Sequence, residues 1–577
     1  MTKPLVGLLL EGTYPFVQGG VSSWVHQLIR GLDKQYNFAL TFIGSTPSDH
    51  PKQHYKLPEN VLSLDCFYLF APEADCRTDF GTQHAYHKKL SDPAHWGKPR
   101  RHRLRPHRTQ RPSASGTRWF IDLIHRLQNP KTPMNQRLLQ GFLANNGPIQ
   151  HPFYPTDMHR YRFSQEHALS STILWKLLTR DYERFCPTEP FNHFCWHYRG
   201  LYQQLFRIAH IAQRARPADM YHSISTGYAG FIGAILSAAG DRPLIITEHG
   251  IYTRERRIDL NDAPWLTSPR RTSCVFDRQH ESVIRTLWIR FFEQLSHTAY
   301  HQASHITSLY AASRRLQINE GAAPEKTHVI CNGIAHERFA RQNHLVRATS
   351  TPRVALIGRV VSIKDVATFI KAISIVRLSH PTVQAEIVGP LDEQPEYVEQ
   401  CHMLVDLLNL SNHVTFTGSQ EVETLMPTLD VLALTSISEA QPLVLLEAMA
   451  SGVPIVATDV GACREMIEGP DANAPAPCGL IVPIASAQAS AQAISHLLAN
   501  PALREQMGQC GRQRVQTHYA ESSMLSAYHA LYANARDSAS HRARDTTTDT
   551  TRPEAEQWRI PFVHWGFPST FFGIKPR

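Results

Sequence analysis

No two of the ten cysteines form a C-x-x-C pair. The usual signature of a zinc site or a redox dithiol is therefore missing, and a reduced, cytosolic chain is a simpler expectation than a disulfide framework. No apolar run reaches the ~18 residues that a membrane-crossing helix needs. Met1-Thr-Lys-Pro leads straight into a strand rather than a signal segment. Any membrane link is expected to be peripheral or through a partner. There is no G-x-x-x-x-G-K-[ST] phosphate loop, no G-x-S-x-G nucleophile elbow, and no G-x-G-x-x-G after the first strand. P-loop, serine-hydrolase and dinucleotide-dehydrogenase chemistry thereby lose their markers. D-x-D is absent too, so no aspartate pair is set up to hold a divalent metal on a diphosphate.

What is present fits a large globular chain. Its 577 residues are 42% hydrophobic and 19% charged, enough for two or three domains with sizeable cores. The formal net charge of +9 is modest for this length, and much of it lies in Lys98–Arg111. That run reads as a solvated loop, or as a contact for an acidic membrane surface or partner. No aromatic stacking pattern or DNA-binding motif accompanies it, so nucleic acid is not expected as a partner.

The alternation of elements is that of an α/β protein. Leu5-Val-Gly-Leu-Leu-Leu reads as a parallel strand buried on both faces. The Gly19-Gly20 loop, a helix from Val21 and the strand Phe38-Ala-Leu-Thr-Phe-Ile complete a βαβ unit. Residues 72–200 lose this rhythm; helices are expected there at Ser170–Arg184 and Tyr198–Arg214, without a place in a sheet. Strand character returns at Met220-Tyr-His-Ser and Leu244-Ile-Ile-Thr, around a helix over Tyr228–Ala239. A second doubly wound unit starts near residue 352: strand Arg353-Val-Ala-Leu-Ile, helix Asp365–Ser379, strand Gln384-Ala-Glu-Ile-Val, helix Tyr397–Leu408, strand Val414-Thr-Phe. Two such units predict two Rossmann-like domains facing a cleft. The polar stretch Gln342–Thr351 reads as the join. The division expected is an N-terminal domain over 1–340 with a helical and basic insertion over about 72–200, a second domain over 341–515, a helix over 516–536 that packs back toward the N-terminal domain, and a disordered linker with an aromatic tail over 537–577.

The densest chemistry lies in Ser438-Glu-Ala-Gln-Pro-Leu-Val-Leu-Leu-Glu-Ala-Met-Ala-Ser-Gly-Val-Pro. Val431-Leu-Ala-Leu reads as a buried strand and Leu443–Ala450 as a helix stopped by Gly452, with Pro442 suited to its first position. Glu439 then lies in a strand-to-helix loop and Glu447 about one turn into the helix, at the sheet edge where ligands bind. The free N–H groups of Leu443 and Val444 offer an anion site at the same edge. Each carboxylate can accept hydrogen bonds from a polyol, with a phosphate between them. Arg359 and Lys364, in another strand-to-helix loop, supply the cations a diphosphate needs; taken alone, both are also ordinary surface residues. Gly19-Gly20 permits close backbone approach to a ligand, although a simple turn looks the same. His249, in Thr247-Glu-His-Gly-Ile-Tyr, ends a first-domain strand. It is one of 32 histidines, most of which are structural or exposed.

These segments together resemble the retaining glycosyltransferases of family 4, which have the GT-B fold. The resemblance rests on Gly19-Gly20, Glu248-His249-Gly250, Asn332-Gly333-Ile334, Gly358-Arg359 with Lys364, and the E-x7-E spacing of Glu439 and Glu447. It spans most of the chain outside residues 72–200 and the tail. Glu11-Gly-Thr-Tyr-Pro-Phe-Val-Gln-Gly-Gly-Val-Ser-Ser-Trp-Val and Glu439-Ala-Gln-Pro-Leu-Val-Leu-Leu-Glu look like the PelF branch, cytosolic transferases of Pel exopolysaccharide synthesis. The resemblance implies a hexose moved from a UDP-sugar, UDP-glucose or a related one, to a growing glycan. It implies that Arg359 and Lys364 hold the donor diphosphate, that Glu447 accepts from the ribose hydroxyls, and that Glu439 contacts the transferred sugar. Gly20 would admit the donor to the backbone and His249 would contact sugar hydroxyls near the reacting centre. Front-face attack, with a donor phosphate oxygen taking the acceptor proton, belongs to the same inheritance. It brings no cofactor and no metal requirement, cytoplasmic localisation that is peripheral at the inner membrane through partners, and a membrane synthase or export complex as partner. Ala440 stands where the family often has Gly, and a methyl group there narrows the sugar pocket. A sugar-nucleotide epimerase, a glucan phosphorylase and a non-catalytic nucleotide-sugar-binding subunit are the other readings of the same residues.

Overall fold

The structure, a computed structural model, describes residues 3–50, 52–79, 113–129, 131–144, 163–187, 190–266, 283–340, 351–469 and 476–545. The basic run 98–111 and residues 546–577 lie outside them. The chain divides into two compact units: Met1–Thr307 with Gln317–His328 and Leu531–Arg577, and Ser308–Leu316 with Val329–Ala530.

The first unit is built on β1 (Leu5–Glu11), β2 (Asn37–Gly44), β3 (Val61–Tyr68), β4 (Cys76–Asp79), β5 (Met220–Ser223), β6 (Leu244–Glu248), β7 (His305–Ser308) and β8 (Thr327–Val329). They lie in the order β4-β3-β2-β1-β5-β6-β7-β8. Only β4 is antiparallel to its neighbour among the pairings β1–β2, β1–β5, β2–β3, β3–β4 and β5–β6. The apolar run of β1 is buried throughout its centre, as a strand covered on both faces must be.

Within the region expected to lack a sheet rhythm, Cys76–Asp79 is the edge strand β4, and the described residues from 113 to 200 belong to a helical layer on this sheet. Helices Ala114–Gln128, Gln136–Ala144, Thr172–Phe185, Phe191–Arg214 and Val283–Gln302 share one hydrophobic core with sheet residues Leu9, Ile43, Phe67 and Ile246. Polar anchors fix their packing: Trp119 Nε1 donates to Leu138 O at 2.9 Å, and the Tyr198 hydroxyl to Asp181 at 3.1 Å. The expected helices at 170–184 and 198–214 are present, the second a full two turns longer at its start.

The second unit has a six-stranded sheet of β9 (Arg353–Ile357), β10 (Gln384–Val388), β11 (Val414–Gly418), β12 (Val431–Leu434), β13 (Ile455–Thr458) and β14 (Gly479–Val482). Every pairing is parallel, and the order β11-β10-β9-β12-β13-β14 is the doubly wound one. Its two cores show the period of two in a strand. Val354 and Leu356, Val431 and Ala433, and Val456 face one core. Ala355, Leu432 and Leu434, and Ile455 and Ala457 face the other.

Two boundaries differ from expectation. The second unit takes in Ser308–Leu316 and then runs from Val329 rather than 341, and Asn332-Gly333-Ile334 is tied within it. Ile334 N donates to Tyr519 O at 2.8 Å and Glu521 N to Ile334 O at 3.1 Å. A Cβ on Gly333 would come within 2.7 Å of the Glu521 backbone, so glycine is what allows that approach. The C-terminal helix runs Glu521–Asp545, not 516–536. Residues 537–545, expected in a disordered linker, continue it; Ala and Arg there are good helix formers.

One residue of that helix completes a buried polar chain in the first unit. His222 Nδ1 meets the Tyr532 hydroxyl at 2.7 Å, His222 Nε2 meets Thr247 Oγ1 at 2.8 Å, and Thr247 meets Thr307 at 2.7 Å. Burial, with the neighbouring His249 adding to it, pushes His222 down to about 3, so it works as a neutral imidazole. Replacing Tyr532 by Phe removes one bond from a fully buried ring and should cost about 1–3 kcal/mol. A lower thermal midpoint would show it; an unchanged midpoint would contradict the account.

Candidate functional site

In a doubly wound sheet the loops after the two strands flanking the order reversal diverge, and the crevice they leave is where ligands bind. In the second unit those strands are β9 and β12. The loop after β9 carries Gly358, Arg359 and Lys364; the loop after β12 carries Glu439. Two bonds lock the loops together: Ile437 N donates to Ile363 O at 2.9 Å, and the Thr435 hydroxyl to Asp365 O at 2.9 Å. Asp365 adopts a left-handed conformation (φ 46°) and caps the Val366–Ser379 helix by accepting from Thr368 N. This turn delivers Lys364 to Glu439.

Lys364 and Glu439 form an ion pair, and Ser436 Oγ donates to the same carboxylate oxygen at 2.7 Å. Both partners are largely buried, which strengthens the pair over a surface one. Arg359 lies at the same strand end but turns elsewhere, forming a two-pronged contact with Glu393 at 2.5 and 2.7 Å. The structure thus brings Lys364 and Glu439 together and leaves Arg359 outside that cluster. Both Arg359 and Glu393 are about half exposed, so a ligand anion competes on favourable terms for the guanidinium.

Pro442 stands at the N-cap of the Leu443–Ser451 helix rather than at its first position, and the helix has no side-chain cap. Among the described residues, the N–H groups of Leu443 and Val444 make no hydrogen bond outside the helix, consistent with an anion site. Gly461, at φ 55°, packs on the loop: a Cβ there would stand 2.2 Å from Glu439 O and 2.4 Å from Ala440 O. Ala462 N donates to Ala440 O at 2.7 Å. Ala440 is therefore clamped through its backbone.

Glu447 contrasts with Glu439. It makes no hydrogen bond or ion pair among the described residues. Burial pushes its carboxyl up to about 7, the Glu423 carboxylate adds to the rise, and Arg338 opposes it. Arg338 is itself ion-paired to Glu423.

The first unit has its own order reversal, between β1 and β5. Glu11 at the end of β1 bridges it, accepting from the Tyr252 hydroxyl at 3.0 Å, Ala229 N at 3.2 Å and Ser225 Oγ at 3.3 Å. Gly19 and Gly20 are exposed at the start of the Gly20–Gly31 helix, and a Cβ on Gly19 would meet nothing within 4 Å. The same helix sets Trp24 edge-on to His249, ring centroids 4.7 Å apart. Burial holds His249 down to about 4, so it is neutral near pH 7, and its Nε2 is buried with no partner among the described residues. Glu248 beside it is saturated by the Tyr300 hydroxyl (2.5 Å), Thr226 Oγ1 (2.9 Å), Gln317 Nε2 (3.0 Å) and Tyr252 N (3.3 Å). That makes Glu248 a structural residue.

Sequence reasoning missed Ser436, Thr435, Gly461, Glu393, Glu11 as a bridging group, and Trp24. A Gly two residues after the Asp at the β13 loop carried a faint signal for Gly461; Glu393 carried none. No group of three or more His, Cys, Asp or Glu able to hold a metal occurs among the described residues.

Because the folded chain binds a proton at Glu447 more tightly than the ordinary value of 4.5, stability falls as pH rises from 4.5 to about 7. Glu447→Gln should therefore raise the thermal midpoint relative to the parent at pH 8 and lose that advantage below pH 4.5. A pH-independent difference between the two proteins would refute this.

Comparison with known proteins places the chain in a family. Residues 4–325 match the model described as a domain of unknown function, DUF3492. Residues 338–514 match that of glycosyl transferases group 1. The chain is similar to an MMP α-(1→4)-mannosyltransferase of Mycolicibacterium hassiacum, 26% identical over 51% of this chain and 66% of the relative. It is likewise similar to a D-inositol 3-phosphate glycosyltransferase of Jonesia denitrificans, 26% identical over 39% and 54%. The matches thus span between half and two thirds of these relatives' lengths. Among solved structures, a sucrose-phosphate synthase from Thermosynechococcus elongatus covers 92% of this chain and 99% of its own, with 16% identity and a TM-score of 0.52, a likeness of GT-B fold. The chain belongs to the DUF3492 family, its N-terminal part joined to a group 1 glycosyl transferase domain.

Proposed function

We propose that the chain is a retaining hexosyltransferase that takes a sugar from a nucleoside diphosphate, UDP-glucose or a related UDP-hexose first among candidates, and extends an exopolysaccharide of the Pel kind. The observation that carries this reading is the convergence of Lys364 and Glu439 on the β9–β12 reversal, beside the unbonded N–H groups of Leu443 and Val444. Such a place suits a sugar diphosphate: a cation and backbone dipoles for the phosphates, and a carboxylate for hydroxyls.

The roles follow from the environments. Lys364 has three N–H donors; those not held by Glu439 bind diphosphate oxygens and offset charge as the leaving group departs. Arg359 exchanges Glu393 for the diphosphate. Glu439, oriented by Ser436 and Lys364, accepts from hydroxyls of the transferred sugar and stabilises positive charge developing at its anomeric carbon. Glu447 meets the ribose hydroxyls, where two new donors replace the water it has lost. His249, neutral and with Nε2 unpartnered, contacts sugar hydroxyls. In the transfer the anomeric carbon–phosphate oxygen bond breaks and the acceptor oxygen bonds on the same face. The acceptor proton goes to the departing phosphate, leaving the nucleoside diphosphate. Lys364 and Arg359 supply the charge without a metal, and partners at a membrane synthase would receive the glycan.

Glu447→Ala should weaken UDP binding by calorimetry about 10- to 100-fold, the range of lost hydrogen bonds to a charged group. Glu439→Gln should cut turnover about 100-fold or more while changing UDP affinity little. Near-normal turnover would remove Glu439 from its role, and sugar 1-phosphate as product would indicate phosphorolysis. UDP binding with neither hydrolysis nor transfer would indicate a non-catalytic subunit. Affinity for UDP should strengthen as pH rises through about 7, where Glu447 becomes an acceptor-only carboxylate. A flat profile from pH 6 to 8 would contradict that assignment.

A further inference from the structure

The cysteines hold one arrangement that the transferase reading does not use. Cys66 on β3 and Cys76 on β4 stand directly opposite each other in the antiparallel ladder. Both are free, Cys66 buried and Cys76 partly exposed. Each thiol perturbs the titration of the other. Directly opposed residues on antiparallel strands have Cβ atoms about 4.5–5.5 Å apart, and a disulfide needs about 3.5–4.5 Å. A small closing of the two strands therefore suffices. Among the described residues no other two cysteines are register partners. β4 is the edge strand, only four residues long, so it can make that movement.

We propose that Cys66 and Cys76 form a redox-modification site, a dithiol that a low-molecular-weight disulfide such as glutathione disulfide converts into a cross-strand disulfide. The two cysteines differ in their parts. Interaction with the Cys66 thiol lowers the Cys76 thiol below its ordinary range against an opposing effect of burial. The same interaction, then burial, raises Cys66. Cys76 is also the more accessible, so it is the attacking group. Its thiolate attacks one sulfur of glutathione disulfide, forming a mixed disulfide and releasing one glutathione thiolate. Cys66 sulfur then attacks Cys76 sulfur, giving up its proton to the medium and displacing the second glutathione thiolate. Two protein thiols lose two electrons and two protons in total; one glutathione disulfide becomes two glutathiones.

The surroundings favour a bond at this position. The turn joining the strands is already fixed: Asp75 accepts from Tyr68 N at 3.1 Å, and Arg207, ion-paired to Asp75, donates to Tyr68 O at 3.0 Å. Arg77, next to Cys76, pairs with Asp65, next to Cys66, at 3.0 Å. The register is thus pinned on both sides of the thiols, and the disulfide would staple the edge strand without re-pairing it. The charged groups that act on the pair are Asp65 and Asp75, ion-paired to Arg77 and Arg207 respectively.

Trypsin releases both cysteines in one peptide, Leu57–Arg77, which contains no other cysteine. The full-length chain is incubated with glutathione disulfide, acid-quenched, unfolded, alkylated and digested. The expected result is a peptide lighter by two hydrogens and without alkyl groups, and dithiothreitol should restore two alkylated cysteines. With Cys66→Ala, Cys76 should instead retain one glutathione, since no resolving thiol remains. With Cys76→Ser, Cys66 should stay free of adduct. A peptide that carries two alkyl groups after treatment, or a glutathione on Cys76 of the parent with Cys66 still alkylated, would overturn the proposal. Should the Cys66 variant fail to fold, the parent's mass decides alone. None of these readouts depends on the transferase activity.

Discussion

The reversal of strand order between β9 and β12 is the constraint from which the candidate site follows. Parallel strands need crossovers, and crossovers on the two sides of β9 and β12 run in opposite directions. Their loops part at the carboxyl edge and leave backbone groups uncovered. The bonds from Ile437 to Ile363 and from Thr435 to Asp365 close the base of that gap. They fix the spacing at which Lys364 reaches Glu439. Gly461 completes the clamp from the β13 side, where only a residue without Cβ can lie on the Glu439 and Ala440 carbonyls.

Three glutamates show how environment assigns tasks to one side chain. Glu248 accepts from four donors and has nothing left to offer a ligand. Glu439 is compensated by one cation and one hydroxyl and keeps lone pairs free. Glu447 is half-buried with no hydrogen-bond or ion-pair partner among the described residues, and loss of solvent raises its carboxyl toward neutrality. Such a group is costly to the folded chain and is the kind of cost that a bound polyol relieves. His249 follows the same logic with opposite charge. Its ring is held neutral against Trp24 with one nitrogen unmet.

The helical layer of the first unit was the least legible region. Its helices are amphipathic enough to be recognised one by one. What they cover, however, depends on contacts between residues 98 and 164 positions apart, Gln140 with Ala238 O and Met134 N with Thr298. No local period encodes those pairings. The strands, by contrast, were legible because continuous burial on both faces demands unbroken Val, Ile and Leu runs. The expected end of the C-terminal helix failed for a related reason. Polar composition suggested disorder over 537–545, yet the chain there continues a helix already held by its buried face at Tyr528, Tyr532 and Ala535.

Sequence alone determined the α/β class, the doubly wound second unit and the spacing that puts Glu439 in a loop and Glu447 on a helix. Each of these rests on local periodicity, which short stretches of residues carry in full. Only the tertiary structure decided which cation meets which acid. Arg359 and Lys364 were equivalent as residues near one strand end. Lys364 took Glu439 because the left-handed turn at Asp365 aims it there, while Arg359 was drawn to Glu393, thirty-four positions away. Tertiary structure likewise decided that Glu447 is unpaired among the described residues and Glu248 saturated, because desolvation and hydrogen bonding depend on neighbours brought in from distant segments.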